Sequence, residues 1–77
     1  MSNKDYILTR HAKARMQSRG ISEEEIEKIL LDPEVTYPGR SGEINVIKEV
    51  NPGKKIRVVY KIEQGKKIIL TALICEE

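Results

Sequence analysis

Cysteine and histidine are nearly absent from this sequence. The single cysteine, Cys75, excludes an internal disulfide, and with His11 as the only histidine there is no plausible zinc set. The opening "MSNKDY" lacks the apolar core of a signal peptide, and no apolar run approaches the length of a membrane span. A cytoplasmic protein with no metal, no cofactor and no membrane association is expected. Net charge is also small. The 14 Lys and Arg against 12 Asp and Glu leave only +2, so no global field draws the chain onto nucleic acid. Any electrostatic preference must come from where the charges sit. No repeat, low-complexity tract or long linker divides the 77 residues, which suffice for one domain. A domain of this size buries only about 60% of its unfolded surface, so its stability rests on well-formed elements.

What is present falls into two halves. "DYIL" (5–8) reads as a brief strand or as the lead-in to a helix. Thr9 is suited to N-cap a first helix over about residues 9–18, and Gly20 supplies the left-handed residue that stops it. The second helix, about residues 22–31, is more strongly signalled. Ser22 and Glu25 have capping-box spacing, Ile21 and Ile26 that of a hydrophobic staple, and Glu23, Glu24 and Glu25 complement the positive end of the helix dipole. Ile26, Ile29 and Leu30 form its apolar stripe, and Asp32-Pro33 ends it. From Val35 the pattern becomes β-branched. Strands are predicted over about 35–37, 43–50, 55–62 and 66–75, separated by "PGRSG", "NPGK" and "QGK". The expected architecture is α+β. Two N-terminal helices pack on one face of a three- to four-stranded antiparallel sheet, with room for a short N-terminal strand.

Alternation within the strands separates two faces. Ile44, Val46, Ile56, Val58, Tyr60, Ile62, Ile68, Leu70, Ala72 and Ile74 share one parity and are expected beneath the helices. Asn45, Ile47, Glu49, Arg57, Val59, Lys61, Ile69, Thr71, Leu73 and Cys75 form a mixed face, an apolar centre with cationic and hydroxyl groups around it. Such a face usually meets a ligand or a second subunit.

Candidate chemistry concentrates in "HAKARMQSRG" (11–20). On a helical projection Arg15 and Arg19 share a stripe with Leu8, Ala12 and Met16, and His11 lies at its edge. Three readings stand: arginine stems covering apolar surface, structural pairing with carboxylates, and a phosphate-binding constellation. His11, in the first helical turn, is either a general base or a histidine that locks the helix start. Arg57, in mid-strand on the mixed face, is a further cation with Lys61 four residues on, two pleats away. Lys54, Lys55, Lys66 and Lys67 sit at hairpin ends, where lysine commonly protects strand edges. Tyr60 belongs to the core pattern and Tyr37 is placed to pack on a loop. "PGRSG" is not a nucleotide-binding loop, since no helix opening with Lys-Ser or Lys-Thr follows it. Cys75 reads as a small strand residue without special reactivity.

The segment "LTRHAKARMQSRGISEEEIEKIL" resembles a small, largely uncharacterised bacterial and archaeal family. That family has the pattern His-Ala-x-x-Arg-Met-x-x-Arg-Gly-Ile-Ser, an acidic second helix and a hairpin-rich sheet with a Val-Val-Tyr-like strand. The matching positions are His11, Ala12, Arg15, Met16, Arg19, Gly20, Ile21 and Ser22, with "VVY" at 58–60. The family is grouped with the RelE/ParE-like toxin fold, in which two helices pack on a curved antiparallel sheet, often encoded beside an antitoxin. Many members of the wider group cleave RNA, frequently on the ribosome, and others poison gyrase. The resemblance implies the fold more firmly than the activity.

By that resemblance the chain is a toxin-like domain, a metal-independent endoribonuclease acting through 2′-OH attack. His11 would serve as base or acid, and Arg15, Arg19 and Arg57 would stabilise the phosphorane. Lys61, Lys54 and Lys55 would steer the RNA backbone. Its partners would be RNA or the ribosome, an antitoxin, or a second copy. The acidic "LICEE" finish and the low net charge depart from a ribosome-binding nuclease. The alternative is a non-catalytic protein-interaction module that uses the mixed sheet face, with Arg15 and Arg19 structural.

Overall fold

The computed structural model describes residues 6–75. The elements follow in the order β1 (Tyr6–Leu8), α1 (Arg10–Arg19), α2 (Glu23–Leu31), β2 (Val35–Pro38), β3 (Ile44–Asn51), β4 (Lys54–Glu63) and β5 (Lys66–Cys75). Asp5, which begins the stretch read as a strand from the sequence, lies outside the described residues.

Both helices start on hydroxyl caps. The Thr9 hydroxyl accepts from the Ala12 N–H at 3.1 Å. Ser22 and Glu25 complete a reciprocal capping box, in which Ser22 Oγ accepts from Glu25 N–H at 3.2 Å and a Glu25 carboxylate oxygen from Ser22 N–H at 2.9 Å. Gly20 ends α1 in the left-handed conformation, φ 67°, which a residue without Cβ adopts at little cost.

The sheet is mixed and five-stranded, in the order β1-β5-β4-β3-β2. This corrects the expected three- to four-stranded antiparallel sheet. β1 runs parallel to β5, with Tyr6, Ile7 and Leu8 opposite Lys67, Ile68 and Ile69, while the other neighbouring pairs are antiparallel. The short N-terminal strand that the sequence allowed is present, but three residues carry too little alternation to show its direction, and its partner lies some sixty positions along the chain. Thr9 fixes the junction: its N–H, at 3.3 Å, and its hydroxyl, at 2.8 Å, both donate to the Ile69 carbonyl. The Tyr6 hydroxyl lies 2.8 Å from Glu27 Oε2 and 3.1 Å from Glu23 Oε2, tying β1 to α2. Burial, and then the two neighbouring carboxylates, raise the phenol's pKa well above its ordinary value.

A second correction concerns which residues of β5 face inward. Val59 is opposite Thr71, but Tyr60 is opposite Ile69, which leaves Leu70 as an extra residue. The shift reverses the facing of the first half of β5. Ile69 is fully buried, Ile68 and Leu70 are half-buried, and Ile62 is 58% exposed. Val46, Ile56, Val58, Tyr60 and Ala72 are in the core as their parity requires, whereas Ile62, Ile68 and Leu70 are not. A strict period of two cannot register a bulge.

One cluster unites Ala12 and Met16 of α1, Ile21, and Ile26 and Ile29 of α2 with Tyr6 and these strand residues. α1 packs on β5, and α2 on β3 and β4. The start of α2 is pinned by Lys54 of β4. Its ammonium donates to Glu25 Oε2 at 2.9 Å, Glu25 Oε1 at 3.1 Å and the Gly20 carbonyl at 2.8 Å. One carboxylate thus caps the helix and fastens it to the sheet. Burial alone would raise the Glu25 pKa, but the Ser22 N–H and then Lys54 outweigh it and hold the carboxyl below its ordinary 4.5.

A carboxylate with a lowered folded-state pKa stabilises the fold above its unfolded value and loses that contribution as pH falls through the folded value. Glu25→Gln keeps the shape and removes the charge. The expected cost at pH 7 is about 1–2 kcal/mol, the scale of a charge-assisted hydrogen bond, or roughly 5–15 °C in melting temperature. In thermal melts the gap from the parent protein should begin to close below pH 4.5. An undiminished gap at pH 3 would show that Glu25 acts by packing alone.

Candidate functional site

α1 presents its charges outward. Arg10, His11, Lys13, Arg15 and Arg19 are all exposed, and only Ala12 and Met16 are buried. This corrects the inward placement of His11, Arg15 and Arg19 drawn from the projection. A helix that buries one small residue and one flexible one has a narrow inner stripe, and the long side chains at its border extend past it to solvent. The stripe is still real at its two ends. Arg15 Nε donates to His11 Nε2 at 3.3 Å, so that nitrogen carries a lone pair in this arrangement. Arg19 Nη1 donates at 2.9 Å to the Ala72 carbonyl of β5, beyond the reach of β1. Among the described residues, neither Arg15 nor Arg19 meets a carboxylate. The helix itself contains no acidic residue.

Arg57 lies elsewhere. It stands on β4 opposite Ile47 of β3 and Leu73 of β5, on the sheet face turned away from the core. Its Nη1 donates to the Tyr37 hydroxyl of β2 at 3.1 Å. The side chain therefore reaches across β3, away from β5 and α1, a span of about 10 Å between strand axes. Its Nε is buried and meets no acceptor among the described residues. Arg57 consequently does not join His11, Arg15 and Arg19 in one constellation, and a single phosphate cannot touch both groups. Tyr37 is the residue that reading from sequence missed here. The pairing of Tyr37 with Asn45 in β2–β3 is what puts it on Arg57's face, and a four-residue edge strand offers little pattern from which to infer it.

The lysines divide as well. Lys54 holds α2 and is not available as a backbone-steering cation. Lys61 shares the Arg57 face, at a half-buried position opposite Ile68. Lys55, opposite Cys75, is half-buried. The acidic Glu76 and Glu77 lie outside the described residues. Among the described residues no group of three or more His, Cys, Asp or Glu could hold a metal ion. No helix among them is long and apolar enough to cross a membrane.

The architecture defines a small α+β domain, with a basic first helix, an acidic second one and one sheet face turned away from the buried core. Residues 8–76 match a family model described as a domain of unknown function, DUF4258, and the chain belongs to that family. No curated protein and no solved structure matches it.

The three arginines separate by stability. Arg15→Ala should leave the melting temperature within about 2 °C of the parent, the range of exposed substitutions. Arg19→Ala should lower it by roughly 5 °C, reflecting about 1 kcal/mol for the hydrogen bond to Ala72. Arg57→Met should leave it unchanged or raise it, because a buried unpaired N–H is removed and the apolar stem is kept. A fall of more than about 5 °C for Arg57→Met would make Arg57 a structural residue.

Proposed function

We propose that this domain is a RelE/ParE-like, toxin-type domain that acts on RNA, with α1 as its phosphate-facing element. One observation carries the reading: α1 exposes Arg10, His11, Lys13, Arg15 and Arg19, and none of these cations meets a carboxylate among the described residues. Structural arginines are commonly paired with carboxylates; here Arg15 donates to an imidazole and Arg19 to a backbone carbonyl, and both side chains are exposed. The sequence resemblance supports the same fold and substrate class.

The chemistry needs few groups. His11 Nε2 takes the proton of a ribose 2′-OH, and the 2′-oxygen attacks the adjacent phosphorus. The bond to the 5′-oxygen breaks, leaving a 2′,3′-cyclic phosphate, and the proton returns from His11 to the departing 5′-oxygen. Arg15 already donates to His11, and a phosphate oxygen is a better acceptor for a guanidinium than an imidazole is. Substrate arrival would thus turn Arg15 toward the phosphate and free the Nε2 lone pair. Arg19, anchored on Ala72 through one nitrogen, has further donors to offer the same backbone. Arg57 has no place in this scheme.

Purified protein incubated with single-stranded RNA should yield 2′,3′-cyclic phosphate ends. His11→Ala should reduce the rate by about 100-fold or more while melting near the parent temperature. Arg15→Ala should weaken RNA binding and flatten the slope of log K against log salt by about 0.7, the value for one lost phosphate contact on a single strand. Intact RNA at saturating amounts of folded protein would overturn the catalytic reading. An unchanged salt slope would remove Arg15 from the interface.

A further inference from the structure

We propose that the sheet face opposite the core docks an acidic amphipathic helix of a second protein, with Arg57 gripping a carboxylate near its centre. This reading does not rest on the ribonuclease proposal and uses none of its residues.

The first support is the distribution of exposed apolar surface. Of the five large hydrophobic residues left exposed among those described, three lie on this one face: Ile7 at 47%, Val35 at 49% and Tyr37 at 37%. The strand registers place them opposite Ile68, Ile47 and Asn45. Half-buried Ile47, Val59 and Leu73 lie between them, so an aliphatic strip runs from β1 to β2. Continuous apolar surface of this kind marks an interaction site, whereas scattered exposed residues do not.

The second support is Arg57. Its guanidinium sits within that strip, bonded through Nη1 to Tyr37, with a buried Nε that meets no acceptor among the described residues. The buried Nε is out of a ligand's reach, but the terminal Nη donors not bonded to Tyr37 suit a carboxylate. Among the strand residues that the registers place on this face, Lys55, Arg57, Lys61 and Lys66 outnumber Glu49 and Glu63. Desolvated arginines ringed by apolar contacts are typical anchors of protein interfaces.

These features also select the occupant. A surface for unpaired bases needs several aromatic rings, and this face has only Tyr37 among aliphatic neighbours, so a protein fits better than RNA. A second copy apposed about a two-fold axis would set Arg57 against Arg57, and Glu49, a carboxylate on the same face, stands opposite Lys55 and already accepts from the Gly53 N–H. The partner docks on this face through side chains; an added strand would instead pair at the rim, along β1 or β2. Five strands span about 19 Å, a width that some 13 residues of helix would cross.

The test is selection on the full chain from a displayed library of amphipathic helices, each about 20 residues long. Enriched peptides should carry Asp or Glu within their apolar stripe and should shift the amide resonances of Ile47, Val59 and Leu73. Their affinity should fall about tenfold or more with Arg57→Gln and less than about threefold with Arg15→Ala. RNA cleavage, where present, should survive Arg57→Gln, which keeps this outcome separate from the ribonuclease reading. The proposal is overturned if no peptide is enriched, if enriched peptides lack the acidic residue, or if they map to α1. It is equally overturned if a short RNA occupies the face more tightly than any peptide, or if the same resonances move with protein concentration alone.

Discussion

Helix is scarce in this chain, and the rest of the structure follows from that constraint. α1 and α2 have ten and nine residues, or about 15 and 13 Å of helix, to shelter a five-stranded sheet. Their buried side chains, Ala12, Met16, Ile26 and Ile29, all enter one cluster with the inward parity of the strands. Nothing among the described residues remains to cover the opposite face. The sheet therefore keeps Ile7, Val35 and Tyr37 in solvent, and the fold holds together only if the covered face is fastened firmly. Lys54 and Glu25 do the fastening at one corner, Thr9 and Arg19 at the other. Each satisfies a backbone or carboxylate group that helix or strand geometry would otherwise leave open.

What was legible in the sequence was local. Ser22, Glu25 and the Ile21–Ile26 staple are signals complete within six residues, and α2 begins where they place it. "QGK" was readable as a turn for a similar reason: Gln64 and Gly65 both have positive φ, the pattern of a tight hairpin. What was not legible depended on distant pairing. The parallel contact of β1 with β5, the bulge at Leu70 and the Tyr37–Arg57 bond each join segments whose relation no short window contains. The site suffered most from this. The projection that set Arg15 and Arg19 among apolar residues was sound geometry. Exposure was decided by how little of α1 the sheet could cover.

Charge is sorted by element, and the sorting explains how a near-neutral chain can still offer a strongly polarised surface. α1 has cations and no acids, while the first turn of α2 has three glutamates and no cation. The two helices are joined by Gly20, Ile21 and Ser22, so opposite signs lie within one short connection. The +2 total is an average over regions that differ in sign. On the sheet the same economy holds. Lys54 is neutralised in place, while Arg57, equally cationic, keeps donors without a carboxylate.

The parallel pairing of β1 with β5 also orders the chain in time. β1 is made before every other described element, and its partner, Lys67 to Ile69, after nearly all of them. During synthesis the helical pair and the β3–β4 hairpin have their sequence neighbours at hand, but β1 has none. It must wait unpaired until the β4–β5 hairpin is complete. Closure of the sheet is therefore a late and cooperative event, and its long sequence separation makes it the slowest contact to find. A chain halted before Ile69 would keep its best local structure and lack the one strand that fixes where α1 begins.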